Sequence, residues 1–358
     1  MKHVPVFAPN LPECPTLVDP MSCRRSHAEH PSGTARASTP GTVRDFCLQA
    51  LERGDLATKL RPPGPREMPR LRDPEGVAAT FIDAPARAPG LRMRGGSDRL
   101  PRPGELSEPG NRRKCLARFA HHELMAVELF AWALLRWPDL PRALRRGWLS
   151  ALIDEQRHCR LYLERLRAHG GDFETDDHSD YFWRQAPAIA ASPAGARAFL
   201  AAMGLTLEQA NLDFTLTYRD GFAAAGDEET ARVCQRVHDE EIAHVALAAH
   251  WIRRLESEDG DIAQPDGTDL DRYLACVPFP LGPARAKGRR FEVSARRRAG
   301  LSDRFIETVR RARSPQEQRR GQAPSSSPMR VEALEPPPTA EKPALNDTGS
   351  REGRTGST

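Results

Sequence analysis

The chain lacks the marks of several common protein classes. Its cysteines, at positions 14, 23, 47, 115, 159, 234 and 276, are odd in number and never spaced Cys-x-x-Cys. That pattern argues against a disulfide framework and a zinc knuckle, and for a reducing compartment. Long apolar runs are missing. The most apolar stretch, Leu124 to Leu135, contains Glu128 and is too short to cross a bilayer, so it suits a buried helix. The start, Met1-Lys2-His3-Val4-Pro5-Val6, carries no apolar segment of signal-peptide length. A cytoplasmic protein without membrane association is therefore expected. A dominant charge is also absent, since 53 basic and 49 acidic residues leave a net +4. Such a balance makes no strong case for a nucleic-acid or membrane partner. No flavin or nicotinamide fingerprint occurs, so redox chemistry here would need an external electron donor.

Proline, by contrast, is plentiful, with 32 residues, and the mean hydropathy is −0.59. Much of the chain is expected to lie outside a packed core. Residues 1–41 and 314–358 have no hydrophobic period and read as a disordered arm and a disordered tail. Residues 42–110 read as a short helix followed by a Pro/Gly/Arg-rich wrap, which either lies along the main domain or floats free. Helical periodicity then fills 111–258. The first helix is expected from a cap at Asn111 to Trp137, and the second from Pro141 to His169. The third is expected from near Pro193 to Ala225, and the fourth from a cap at Asp227 to about Glu258. Short links join the first pair and the second pair, and a long one joins the pairs. The expectation is an all-α, ferritin-like four-helix bundle, two helical hairpins joined by a long crossover, with irregular N- and C-terminal arms. Residues 259–313 read as an extension packed on it.

Two strings stand out within the helices, Asp154-Glu155-Gln156-Arg157-His158 and Glu240-Glu241-Ile242-Ala243-His244. A helix turns about 100° per residue, so Glu155 and His158 share one face, as do Glu241 and His244. Two such faces, with one further Glu from each of two other helices, make the ligand set of a binuclear carboxylate site. Carboxylates suit it because anionic bridging oxygens offset the repulsion between two close cations. The third helix offers Glu208 among apolar residues. The first offers Glu123, which Ala126 favours by letting a partner helix approach, or alternatively Glu128. Asp154 and Glu240 can reach a histidine of the opposite hairpin and fix its tautomer.

Other residues carry a plainer reading. Tyr162, one turn after His158, reads first as a core tyrosine and second as a catalytic group beside the metals. His121, His122 and His238 read as packing or solvent-facing residues, and Cys159 and Cys234 as small buried hydrophobes. The basic stretch from Arg285 to Arg298 reads as solvated surface, with an RNA-contacting patch as the alternative.

From Arg118 to Leu255 the chain resembles the ferritin-like proteins grouped as domain of unknown function 455. The resemblance rests on His122-Glu123-Leu124, Glu128-Leu129, Glu155-Gln156-Arg157-His158, Leu207-Glu208-Gln209-Ala210-Asn211-Leu212-Asp213-Phe214 and Glu240-Glu241-Ile242-Ala243-His244-Val245. It extends more weakly over Leu51–Pro103 and Val277–Ile306, with Glu240 where Asp is the commoner residue. Relatives of that group include a tRNA-modifying non-haem di-iron hydroxylase. The resemblance implies the bundle fold and a metal site. Two iron ions are expected, with manganese or a mixed iron/manganese pair as alternatives. The expected activity is an O2-dependent oxygenase, hydroxylase or oxidase of unknown substrate, in a monomer or small homo-oligomer. A nucleic-acid partner enters by analogy alone. The alternatives are a metal-handling, ferroxidase-like ferritin relative and a metal-free interaction module.

Overall fold

Capping residues and chain breakers set the helix limits in the computed structural model, which describes residues 40–95, 99–175, 178–255 and 268–313. Among the described residues every regular element is helical, and extended segments meet only in isolated bridges, Thr42 with Arg72 and Met93 with His178. Helix α1 (Val43–Glu52) starts where the Thr42 hydroxyl accepts from Asp45 N, and α2 (Leu56–Lys59) where Asp55 caps Thr58 N. Helix α3 (Pro109–Arg136) begins with Pro109 in its first turn, ahead of the expected cap at Asn111. Proline is favoured there because its missing N–H would have had no helical partner. Residues 137–141 turn the chain into α4 (Arg142–Ala168), and 169–195, which hold the short α5 (Ala186–Ala190), lead to the next long element.

That element differs from the expected plain α-helix. A single turn, α6 (Ala196–Phe199), opens into a π-helix (Leu200–Glu208) before returning to α geometry in α7 (Gln209–Ala224). The Thr206 hydroxyl donates to Ala201 O at 2.8 Å, spanning the wide π turn, and meets the Tyr273 hydroxyl at 2.9 Å. Gly204 allows the π segment to lie directly on α8 (Glu228–Ile252), since a Cβ there would sit 2.2 Å from Ala248 Cβ. Helix α8 is capped by Asp227, whose carboxylate accepts from Thr230 N. It ends before the expected Glu258, because its last turn gives way after Ile252.

Helix α3 packs along α4, α7 and the π segment pack along α8, and α4 meets α8. Their facing sides hold the core, including Leu124, Trp148, Leu152, Phe199, Leu205, Val237 and Val245. Helix α3 is buried on nearly all sides from Cys115 to Leu135, and the Pro-rich arm explains why. Thr80 N donates to Leu135 O (2.9 Å) and Trp132 Nε1 to Ile82 O (3.0 Å). Arg145 grips Asp73 through two 2.7 Å bonds, and the Tyr218 hydroxyl donates to Pro101 O (2.9 Å). The described part of the arm thus lies along the helices rather than floating. Each large apolar side chain it covers contributes about 1.5–3 kcal/mol.

On the other side, α9 (Asp269–Cys276), α10 (Val293–Arg298) and α11 (Asp303–Arg311) pack against α8, α7 and one another. The expected disordered arm and tail lie outside the described residues, apart from residues 40 and 41. Among the described residues no helix is long and apolar enough to cross a membrane.

Candidate metal centre

Four helical elements turn one acidic face each toward a common centre. Helix α3 brings Glu123, α4 brings Glu155 and His158, the end of the π segment brings Glu208, and α8 brings Glu241 and His244. All six side chains are buried, Glu155, His158 and Glu241 completely. They form two overlapping groups, Glu123, Glu155, His158 and Glu241, and then Glu155, Glu208, Glu241 and His244. In each, one donor atom per residue lies within 4.8 Å of the others, so each group could hold a metal ion. Glu155 and Glu241 belong to both, as bridging ligands would.

The imidazoles point their two nitrogens in opposite directions. His158 Nδ1 faces inward, 3.4 Å from Glu155 Oε2 and 3.8 Å from Glu241 Oε1, while its Nε2 lies 2.7 Å from Glu240 Oε2. His244 Nδ1 lies 2.9 Å from Glu155 Oε1 and 3.0 Å from Glu241 Oε2, and its Nε2 lies 3.4 Å from Asp154 Oδ2. Each histidine therefore meets an acid from the other string. Arg157 Nη2 ties the two outer acids together, 2.6 Å from Asp154 Oδ1 and 2.9 Å from Glu240 Oε2. Asn211 donates to Glu241 Oε1 at 2.8 Å. The sequence reading missed Asn211, although its place one turn after Glu208 is a usable signal.

The centre's hydrogen bonding is incomplete. Both oxygens of Glu155, Nδ1 of His158 and Oε1 of Glu208 are buried without a hydrogen-bond partner, because the close approaches to Glu155 lack hydrogen-bond alignment. An unanswered buried polar atom costs about 1–3 kcal/mol, more when charged. A cation among these atoms would answer all of them at once, so the residues present fit a bound metal. Carboxylate oxygens with one imidazole per group suit iron or manganese.

Electrostatics follow from the crowding. Burial first, then the charges of Glu155 and Glu241, push the Glu123 carboxyl well above its usual range. Burial and the same two neighbours do likewise to Glu208. Glu155 is held low, since the pull of His158 and His244 overcomes the burial that would raise it. Burial alone would lower both imidazoles. Instead Glu155 and Glu240 hold His158 up to about 9, and Asp154, Glu155 and Glu241 raise His244 well above its ordinary value.

Glu128 lies elsewhere. Its carboxylate is 3.0 Å from Lys59 Nζ and 2.7 Å from Arg87 Nη2, and accepts from Trp183 Nε1 at 2.9 Å. It belongs to neither group, and Arg87 and Lys59 hold it below the carboxylate range against its burial. His121 stacks on His178 and meets Arg87, His122 stacks on Phe182, and His238 lies 3.1 Å from Leu212 O. Cys159 is buried with its thiol on Ala120 O, and Cys234 is fully buried. Tyr162 packs in the core against Phe119, its hydroxyl pushed well above 10 by burial. It also lines a cavity of about 890 Å³ that reaches Glu123 and Glu208. Residues of both irregular regions, including Arg99, Pro103, Arg285 and Gly288, complete its walls. In the basic stretch Arg285, Arg289, Arg297 and Arg298 are exposed, as expected, whereas Arg296 is fully buried against Asp213 at 2.7 Å.

Residues 53–307 match the family described as Protein of unknown function (DUF455). No curated protein and no solved structure matches the chain.

Proposed function

This chain belongs to the DUF455 family, and on that footing we propose that it is a ferritin-like di-iron carboxylate protein that uses dioxygen to oxidise an organic substrate. Glu123, Glu155, His158, Glu208, Glu241 and His244 would hold the metals, in a bundle of two helical hairpins, α3 with α4 and the π-helix and α7 with α8. One observation carries the reading. Four carboxylates and two imidazoles from four helical elements converge in a buried centre where both oxygens of Glu155, Nδ1 of His158 and Oε1 of Glu208 have no hydrogen-bond partner. Isolated, such a cluster of like charges is costly to bury. Bound there, two iron ions would supply the electrons for reducing dioxygen, replenished by an external donor.

The chain's own residues perform three tasks around that centre. Glu240 and Asp154 face the outer nitrogens of His158 and His244. That leaves Nδ1 of each as the inward donor, a geometry that such outer acids orient. Arg157 donates to both acids and holds them in place. The cavity is lined by Glu123 and Glu208 but not by the two histidines, so a substrate reaches the centre from the side of α3 and the π segment. Tyr162, on the cavity wall, is positioned to meet a bound substrate.

The test is metal analysis of the protein expressed with iron, with an optical spectrum of the oxidised form, beside Glu241→Ala. About two metals per chain are expected, and far fewer in the variant, which loses a carboxylate shared by both groups. Full retention of metal by Glu241→Ala would remove this site. Gel filtration separates the oxidase from a metal-storage relative: a monomer or small oligomer is expected, and a cage-sized particle would sink the oxygenase reading.

A further inference from the structure

The mouth of the cavity has a character that holding metal does not explain. Its walls include Phe119, Phe214 and Tyr218, and its rim carries Arg99, Arg102, Arg285, Lys287 and Arg289. Among the described residues the only carboxylates lining it are Glu123 and Glu208, both buried at its inner end. Arg102, Arg285 and Arg289 are exposed, and no carboxylate among the described residues forms an ion pair with them. Like charges gathered around one low-dielectric opening repel one another and raise the local concentration of anions.

The loop that bears most of these cations is pinned. Asp213, buried on α7, accepts from Gly288 N (2.9 Å), Glu292 N (2.7 Å) and both terminal nitrogens of Arg296 (2.7 and 2.8 Å). Arg296 in turn donates to Ala286 O at 2.9 Å. Gly288 lets the loop close on α7, because a Cβ at that position would meet Asp213 Cβ at 3.0 Å. The cationic rim is thus fixed to the helix that follows Glu208. Little ordering entropy remains to be lost when something binds there.

We infer that the cavity takes a small organic anion. Its phosphate or carboxylate group is held by Arg102, Arg285 and Arg289, and its apolar body lies along Phe119, Phe214 and Tyr218 toward Glu123 and Glu208. The volume falls within the roughly 300–1,000 Å³ typical of small-molecule sites. A polyanion is disfavoured, because the cations ring one opening and the inner end is itself acidic. This deepens the oxidase reading and rests on it only for what happens to the bound molecule.

The test is calorimetric titration of the full chain with naphthyl phosphate, naphthoate and neutral naphthol, on the natural protein, on Arg285→Ser/Arg289→Ser and on Phe214→Ala. One saturable site is expected for at least one of the anions, and which anion is tighter tells phosphate from carboxylate. The double arginine variant is expected to weaken that binding about tenfold or more, while naphthol binds weakly and is unaffected. Phe214→Ala is expected to weaken anion and naphthol alike. Absence of saturable binding by either anion, or equal binding to the natural protein and the arginine variant, would overturn the inference. So would tighter binding of a single-stranded oligonucleotide that displaces the naphthyl probe. Metal content of the same samples separates the two readings. A natural protein without metal that still binds the anion defeats only the iron site, and a metal-loaded protein indifferent to the arginine changes defeats only the anion site.

Discussion

Glu123 and Glu128 lie on one helix, are both buried, and meet opposite surroundings. Burial and three neighbouring glutamates raise Glu123, whereas Glu128 has Arg87, Lys59 and Trp183 as partners. From the sequence the two were alternatives, because periodicity places both within reach of a neighbour without saying which neighbour carries countercharge. Lys59 and Arg87, from a distant part of the chain, take Glu128 as their partner, and Glu123 is the one that lies among the other carboxylates. Replacing Glu128 by Gln leaves two buried cations short of an anion, which should lower stability in urea by roughly 3 kcal/mol or more while metal content stays unchanged. Glu123→Gln should do the reverse. It relieves repulsion in the metal-free protein, so the urea midpoint should not fall, while bound iron should drop well below that of the natural protein. Swapped outcomes would exchange the roles of the two residues.

At the scale of elements, capping side chains mark some helix starts, while the long α3 and α4 begin without one. Thr42, Asp55 and Asp227 each accept from a backbone N–H in the first turn. The π segment was not legible, because an apolar run such as Leu200-Ala201-Ala202-Met203-Gly204-Leu205 fits an α-helix equally well. What makes it π is tertiary: Gly204 against Ala248, and Thr206 held by Tyr273. π turns often mark functional sites, and this one ends on Glu208. Gly204→Ala drives a methyl into Ala248, and such overpacking costs about 1–3 kcal/mol. The expected result is a lower urea midpoint together with reduced iron retention, as the π segment and Glu208 shift from α8. A variant with the natural midpoint would show that the close approach contributes nothing.

Across the whole molecule the six candidate ligands lie between residues 123 and 244 and meet only when four helical elements pack. A metal that binds the folded chain and not the unfolded one stabilises it by mass action, by about 3–4 kcal/mol at 100–1,000 times the dissociation constant. Stripping the protein with a strong chelator should therefore lower the melting temperature by about 5 °C or more, and adding ferrous iron back without oxygen should restore it. No change on stripping would mean that the centre holds no metal tightly. The same scale explains why α3 is buried on nearly every face from Cys115 to Leu135. The arm, through Thr80, Ile82 and Arg87, covers what would otherwise be its outer side.

The sequence by itself determined the all-helical class and the facing of Glu155 with His158 and of Glu241 with His244, because both follow from local periodicity and short-range caps. It also placed Asp154 and Glu240 next to Glu155 and Glu241, one residue away. Only the tertiary structure decided that Glu123, not Glu128, stands with the other five. Only it brought Asn211 to Glu241, bent the third long helix into a π segment, and set Arg102, Arg285 and Arg289 around one cavity. Those outcomes depend on which distant side chain supplies a countercharge, a hydroxyl or an absent Cβ, and spacing along the chain carries no record of that.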